Sequence, residues 1–113
     1  RIVRGQPLMA SDYIQYRMAE LGAEVELLRQ LNHGVAQAFM RGENPTRLAT
    51  IGKLKAGKLT REVADWCIQF HGGSGYMEDN WPARFWRDNR VTAIGGGSDE
   101  TMLQVLARMD GYY

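Results

Sequence analysis

Two stretches of helical hydrophobic spacing, separated by a turn of only a few residues, constrain this chain most. From about Pro7 to Met40, Ile14, Met18, Leu21, Val25 and Leu28 recur at alternating steps of four and three, and Leu31, Val35 and Phe39 roughly continue the line. That spacing predicts one long amphipathic helix. Asn32, His33 and Gly34 interrupt the line and predict a kinked or loosened stretch of helix. A second long helix is expected from Pro45 to about His71, its stripe formed by Leu48, Ile51, Leu59, Val63, Trp66 and Phe70. Between them, Gly42 supplies a stop, Asn44 an N-cap and Pro45 a first helical position. Helices of this length joined by so short a turn must run antiparallel.

Gly72-Gly73-Ser74-Gly75 ends the second helix, and a connector rich in aromatics and charge follows from Tyr76 to Arg90. Pro82 limits any helix there to a short one. A third helix begins after Gly95-Gly96-Gly97 and carries Met102, Val105, Leu106 and Met109. No strand-like alternation stands out. The expectation is an all-α, up-down bundle of three main helices, one domain over residues 1–113, with an open side for another helix or another subunit. The opening Arg1-Ile2-Val3-Arg4-Gly5-Gln6-Pro7 lacks an initiator Met and reads as the interior of a longer polypeptide.

Fourteen Lys and Arg against thirteen Asp and Glu leave a formal charge of +1, which gives no reason to expect nucleic acid or an acidic membrane as partner. No stretch approaches a membrane span. The single cysteine, Cys67, has no disulfide partner and no zinc-ligand spacing around it, and reads as a buried, inert thiol. No metal site is expected. Lys53, Lys55, Lys58 and Arg61 read as a solvated face, and Arg84, Arg87, Asp88 and Arg90 as an ion-pair network fixing the connector. His71 is expected to bond a carbonyl at the helix end, and His33 has no role.

Two glycine-rich segments could carry chemistry: Gln69-Phe70-His71-Gly72-Gly73-Ser74-Gly75-Tyr76 and Gly95 to Glu100. Neither has the Lys-Ser or Lys-Thr of a Walker A loop or the βαβ context of a dinucleotide fingerprint. The first is either a helix C-cap or a loop whose backbone N–H groups meet an anion. The second is either a turn with Ser98 as N-cap and Asp99 and Glu100 complementing the helix dipole, or a cofactor contact.

Taken in order, these pieces resemble the C-terminal helical domain of acyl-CoA dehydrogenases. The resemblance is carried by Arg1-x-x-x-Gly5-x-Pro7, Gln69 to Tyr76, Arg87-Asp88-x-Arg90, Ile94 to Glu100 and Ala107-Arg108. It implies three of the four main helices of that domain, with the first one missing. It also implies an FAD enzyme that oxidises acyl-CoA thioesters between α and β carbons, is reoxidised by an electron-transferring flavoprotein and assembles as a homotetramer. On this resemblance Arg1 and the loop Gln69, Phe70, His71, Gly72 and Gly73 approach a neighbouring subunit's FAD. Ser98, Asp99 and Glu100 lie beside the subunit's own FAD, and Gly97 beside the substrate. No charged-then-apolar leader is seen, so the expected compartment is the cytoplasm, or the mitochondrial matrix in a eukaryote.

Many members carry their catalytic base in this last loop, and Gly96 occupies its position here. Glycine cannot accept a proton, and Asp99 and Glu100 lie further on, inside the helix start. The isovaleryl-CoA and long-chain branches offer the precedent, with a glutamate from an earlier helix, so that no catalytic residue lies in this chain. The missing side chain at Gly96 also suits branched or bulky acyl groups. Arg4 in place of an aromatic and Ser11-Asp12 in place of a His-Gln pair depart from several relatives. A flavoprotein of different chemistry (nitroalkane oxidation, or no catalysis) and a helical interaction module are the competing readings.

Overall fold

The computed structural model describes all 113 residues. A two-residue antiparallel hairpin, β1 (Ile2–Val3) and β2 (Gln6–Pro7), opens the chain. The sequence did not suggest these strands, which are too short to show alternation. Their turn is Arg4-Gly5, both at positive φ (50° and 78°), as the right-handed twist of a tight hairpin requires. A single 3-10 turn at Leu8–Ala10 leads into α1 (Asp12–Met40), followed by α2 (Thr46–His71). One turn of helix, α3 (Gly73–Tyr76), then α4 (Trp81–Asn89), a 3-10 turn at Arg90–Ala93 and α5 (Asp99–Met109) complete the chain. The all-α, up-down expectation stands, with α4 as a short additional helix.

α1 is continuous through Asn32, His33 and Gly34, so the interruption of the stripe there does not end the helix. Gly34 costs about 1 kcal/mol relative to alanine, yet the helix is long and backed by α2. Its inward residues, Ile14, Leu21, Leu28 and Val35, fall on a line of seven-residue steps, while Phe39 is 73% exposed and Ala38 is buried instead. At the turn, α2 starts one residue later than expected, with Pro45 in the cap position. The Asn44 side chain still caps it, accepting from the Thr46 N–H at 3.0 Å and the Thr46 hydroxyl at 2.6 Å.

α2 is the centre of the fold: α1, α3, α4, the Arg90–Ala93 turn and α5 all pack against it. It does so with two opposite faces. The expected stripe from Ile51 to Phe70 meets α1, where Trp66 receives Tyr13 edge-on at 6.2 Å and the Arg17 guanidinium over its ring at 4.6 Å. The other face, Thr50, Leu54, Gly57, Arg61 and Ala64, is also spaced at steps of four and three and meets the C-terminal elements. Gly57 sets that distance: a Cβ there would lie 3.3 Å from Ala93 Cα and Cβ and from Asp99 Oδ1. At the far end Arg47 pairs with Asp110 at 2.7 Å, tying the start of α2 to the end of α5.

The connector is not held by the expected ion-pair network. Arg84 donates instead to the carbonyls of Glu78 and Asp79, at 3.1 and 2.9 Å. Backbone oxygens in the bend before α4 offer it closer acceptors than Asp88 does.

One side of the bundle is open. The molecule measures 55 × 26 × 25 Å with a radius of gyration of 17.5 Å, against about 13 Å for a compact chain of this length. Its accessible surface of 7974 Å² exceeds the roughly 6,300 Å² of a monomer of this mass. Between α1 and α2 runs a groove of about 560 Å³ floored by Leu27, Leu28, Leu31, Ile51 and Leu59. The buried core is correspondingly small, and Leu54 is one of its few large members. Leu54→Ala should cost about 2–4 kcal/mol in urea unfolding of the chain, while Leu27→Ala, on the open face, should stay within about 0.5 kcal/mol.

Candidate functional site

The glycine segment begins where Ala93, buried against Gly57, ends the 3-10 turn. The Ile94 and Gly95 N–H groups return to the Val91 carbonyl at 2.9 and 2.7 Å. Gly96 and Gly97 then take φ of 67° and 104°, which a side chain would strain. At Gly97 the tip of the Met102 side chain occupies the space a Cβ would take. Ser98 turns the chain into α5 and caps it, its hydroxyl accepting from the Thr101 N–H at 3.3 Å.

The two acids after Ser98 differ in their surroundings, Asp99 being paired and Glu100 exposed. Asp99 Oδ2 accepts from Arg61 at 2.7 Å, and its Oδ1 is buried over Gly57 without a partner. The Glu100 carboxyl is held below its ordinary value of 4.5, first by its own backbone N–H and then by the Ser98 hydroxyl. Arg61 and Lys53 are therefore not the solvated face expected of them. Lys53 Nζ donates to the Thr92 carbonyl at 2.6 Å and the Gly97 carbonyl at 2.9 Å. Lys55 and Lys58 do remain exposed. The missed signal is the spacing of the second α2 face, which carries Arg61 inward, with Lys53 at its edge.

The other glycine segment closes α2. Gly72, at φ 64° and ψ −145°, stops the helix, its N–H reaching back to the Ile68 and Gln69 carbonyls. His71 Nδ1 lies 2.7 Å from the Cys67 carbonyl, as a histidine at a helix end was expected to do, and its ring meets Trp81 edge-on at 5.4 Å. Burial pushes the Cys67 thiol up, as suits an inert cysteine. Phe70 packs on Trp66 at 5.4 Å, whereas Gln69 and Gly73 are exposed. The Arg1 side chain comes from the far end of the sequence to lie across Gly72. Its Nη1 donates to the Phe70 carbonyl at 3.2 Å, in space that a Cβ on Gly72 would fill.

Arg1 and Gln69–Gly73 thus form one cluster, and Gly96, Gly97, Ser98, Asp99 and Glu100 another. The rise of α2 separates them by about 22 Å between Gly57 and Gly72. No three His, Cys, Asp or Glu side chains gather to hold a metal ion. No helix is long and apolar enough to cross a membrane.

The sequence pattern of the acyl-CoA dehydrogenase C-terminal domain matches residues 1–109. The chain belongs to that family. The acyl-(acyl-carrier-protein) dehydrogenase MbtN of Mycobacterium bovis is 36% identical over 104 residues, covering 91% of this chain and 26% of that protein. An acyl-CoA dehydrogenase from Geobacillus kaustophilus superposes with a TM-score of 0.94 at 32% identity, over 98% of this chain and 29% of the other. Butyryl-CoA dehydrogenase from Megasphaera elsdenii gives 0.91 at 30% identity, over 96% and 28%. The chain therefore spans about a quarter of the length of the curated relatives it matches.

The cap at Ser98 is open to measurement. Ser98→Ala in this chain should cost about 1 kcal/mol of stability. A carboxyl whose folded-state pKa is depressed contributes stability above its unfolded value and loses it as pH falls through the folded value. Removing the Ser98 hydroxyl should therefore move the Glu100 midpoint upward, and an NMR titration of Glu100 in both proteins reads the shift.

Proposed function

We propose that this chain is the C-terminal domain of an FAD-dependent dehydrogenase of acyl thioesters, preceded in the full-length protein by the missing bundle helix. In that enzyme it lines the cofactor and substrate sites and builds the core of a homotetramer. The observation that carries this reading is Arg1 laid over Gly72. One guanidinium N–H is used on the Phe70 carbonyl, and the remaining donors of the exposed side chain are free for a diphosphate. The residues present thus fit an FAD contact from Arg1 and the Gln69–Gly73 loop. The second cluster, about 22 Å away along α2, suits a different cofactor molecule, as expected where one subunit contributes to its neighbour's site. The open faces and excess surface suit subunit and domain contacts.

The flavin supplies the acceptor for the β-hydrogen as hydride. This chain's residues shape and seal the site. Gly97 gives the acyl chain room, Ser98 and Glu100 face the cofactor side, and Asp99 anchors α5 through Arg61. None of them takes the α-proton: Gly96 has no side chain, the Asp99 carboxylate is held by Arg61, and Glu100 lies exposed in the first turn of α5. The base then belongs to a helix preceding Arg1, as in the isovaleryl-CoA and long-chain branches, with branched or bulky acyl groups as substrates. The carrier is coenzyme A or, as the name of the Mycobacterium bovis relative states for that protein, an acyl carrier protein. An electron-transferring flavoprotein reoxidises the enzyme, in the cytoplasm or the mitochondrial matrix. The vacancy at Gly96 favours one second reading, a flavoprotein of different chemistry such as nitroalkane oxidation.

In the full-length protein, Glu100→Gln should keep kcat within about tenfold of wild type, since loss of a general base removes roughly 10²–10⁴. Butyryl-CoA, isovaleryl-CoA and an acyl-carrier-protein thioester are the probes, with nitroethane assayed beside them. The isolated 113-residue chain should emerge from gel filtration without stoichiometric FAD and without turnover. Flavin retention by that chain, or turnover of nitroethane alone by the full-length protein, would overturn the proposal.

A further inference from the structure

We propose that Lys53 is the positioning residue of the glycine loop, its ammonium fixing where the Gly95–Gly97 backbone stands at the edge of the acyl thioester site. This rests on the reading of that loop as a site wall.

Three successive glycines have more conformational freedom than any other run of the same length, and ordering them is costly. Within the loop little restrains them. The Gly95 N–H returns to Val91, but the N–H groups of Gly96, Gly97 and Ser98 have no backbone acceptor. Restraint comes from α2. Lys53 Nζ bonds one carbonyl before the glycines, Thr92 at 2.6 Å, and one at their end, Gly97 at 2.9 Å. Both are charge-assisted, so each is stronger than a neutral hydrogen bond.

Gly57 and Arg61 follow Lys53 at successive steps of four, close along one side of the helix. Gly57 admits Ala93 and Asp99 to 3.3 Å of its would-be Cβ, and Arg61 takes the Asp99 carboxylate at 2.7 Å. Residues 92 and 93 on one side of the loop and 97 and 99 on the other are therefore all fixed to two turns of one rigid helix. Among these contacts only the Lys53 bond to the Gly97 carbonyl reaches the glycine segment itself, and its partner bond holds Thr92 just before it. Lys55 points elsewhere and is exposed. Displacing a substrate-side wall by an ångström is enough to lower turnover severalfold to a hundredfold.

The test uses the full-length flavoprotein that carries this domain, as wild type, Lys53→Met, Lys53→Arg and the control Lys55→Met. Amide hydrogen exchange of residues 95–98, flavin content, and kcat and KM for butyryl-CoA and isovaleryl-CoA are measured on each. In Lys53→Met the loop amides should exchange about tenfold faster or more while those of α1 keep their rates, and kcat/KM should fall by about tenfold or more at wild-type flavin content. Lys53→Arg should recover most of both effects, and Lys55→Met should show neither. Unchanged loop exchange overturns the proposal, and so does faster exchange with kcat/KM within twofold of wild type. Should Lys53→Met not fold, Lys53→Gln is judged by the same criteria. A wild type that turns over neither of these CoA thioesters nor an acyl-carrier-protein thioester overturns the site reading and the catalytic half of the proposal, while exchange still decides whether Lys53 holds the loop.

Discussion

A hydrogen atom where a side chain would otherwise stand, at Gly57, governs how the C-terminal third of this chain meets the rest. Any Cβ there would crowd Ala93, whose backbone cannot yield cheaply, and the carboxylate of Asp99. With glycine, the segment from Ala93 to Asp99 sits against α2 closely enough for Lys53 to reach two of its carbonyls and for Arg61 to reach Asp99. The cost in helix propensity is about 1 kcal/mol, and a 26-residue helix packed on two sides absorbs it. Without this approach, α5 would begin further out and the glycine loop would have nothing to stand on.

Glycine serves the two functional segments in different ways. In the loop before α5 it permits backbone angles and yields space to Met102. At the end of α2 it stops the helix and clears a bed for a guanidinium from the opposite end of the sequence. Neither segment uses its glycines as a Walker loop does, wrapping N–H groups around phosphate. The N-terminus of α5 carries Asp99 and Glu100, which complement its dipole and make it a poor seat for an anion. Arg1, by contrast, is exposed and short of acceptors.

Most of the architecture was legible because long helices advertise themselves. The α1 and α2 stripes, the turn at Gly42–Pro45 and the Ser98 cap are local patterns, and local energetics decides them. The misses have a common cause. Lys53 and Arg61 look solvated in any reading that assigns one buried face per helix, and α2 has two. Small residues, Gly57 and Ala64, mark its second face, and they add little to a hydrophobic pattern while permitting close packing. Arg84 was misplaced for a related reason: its acceptors are main-chain carbonyls, which no sequence displays. The hairpin at Ile2–Pro7 is too short for alternation to show.

The length of α2 between its two glycine segments also acts as a ruler. One residue inserted or lost between Gly57 and Gly72 would shift the Arg1 cluster by about 1.5 Å and rotate it by about 100° relative to the loop seated on Lys53. Loops elsewhere in the chain can change length and leave this spacing intact, but this stretch cannot. Relatives that share the arrangement are therefore expected to vary in residue identity along α2 and never in residue number.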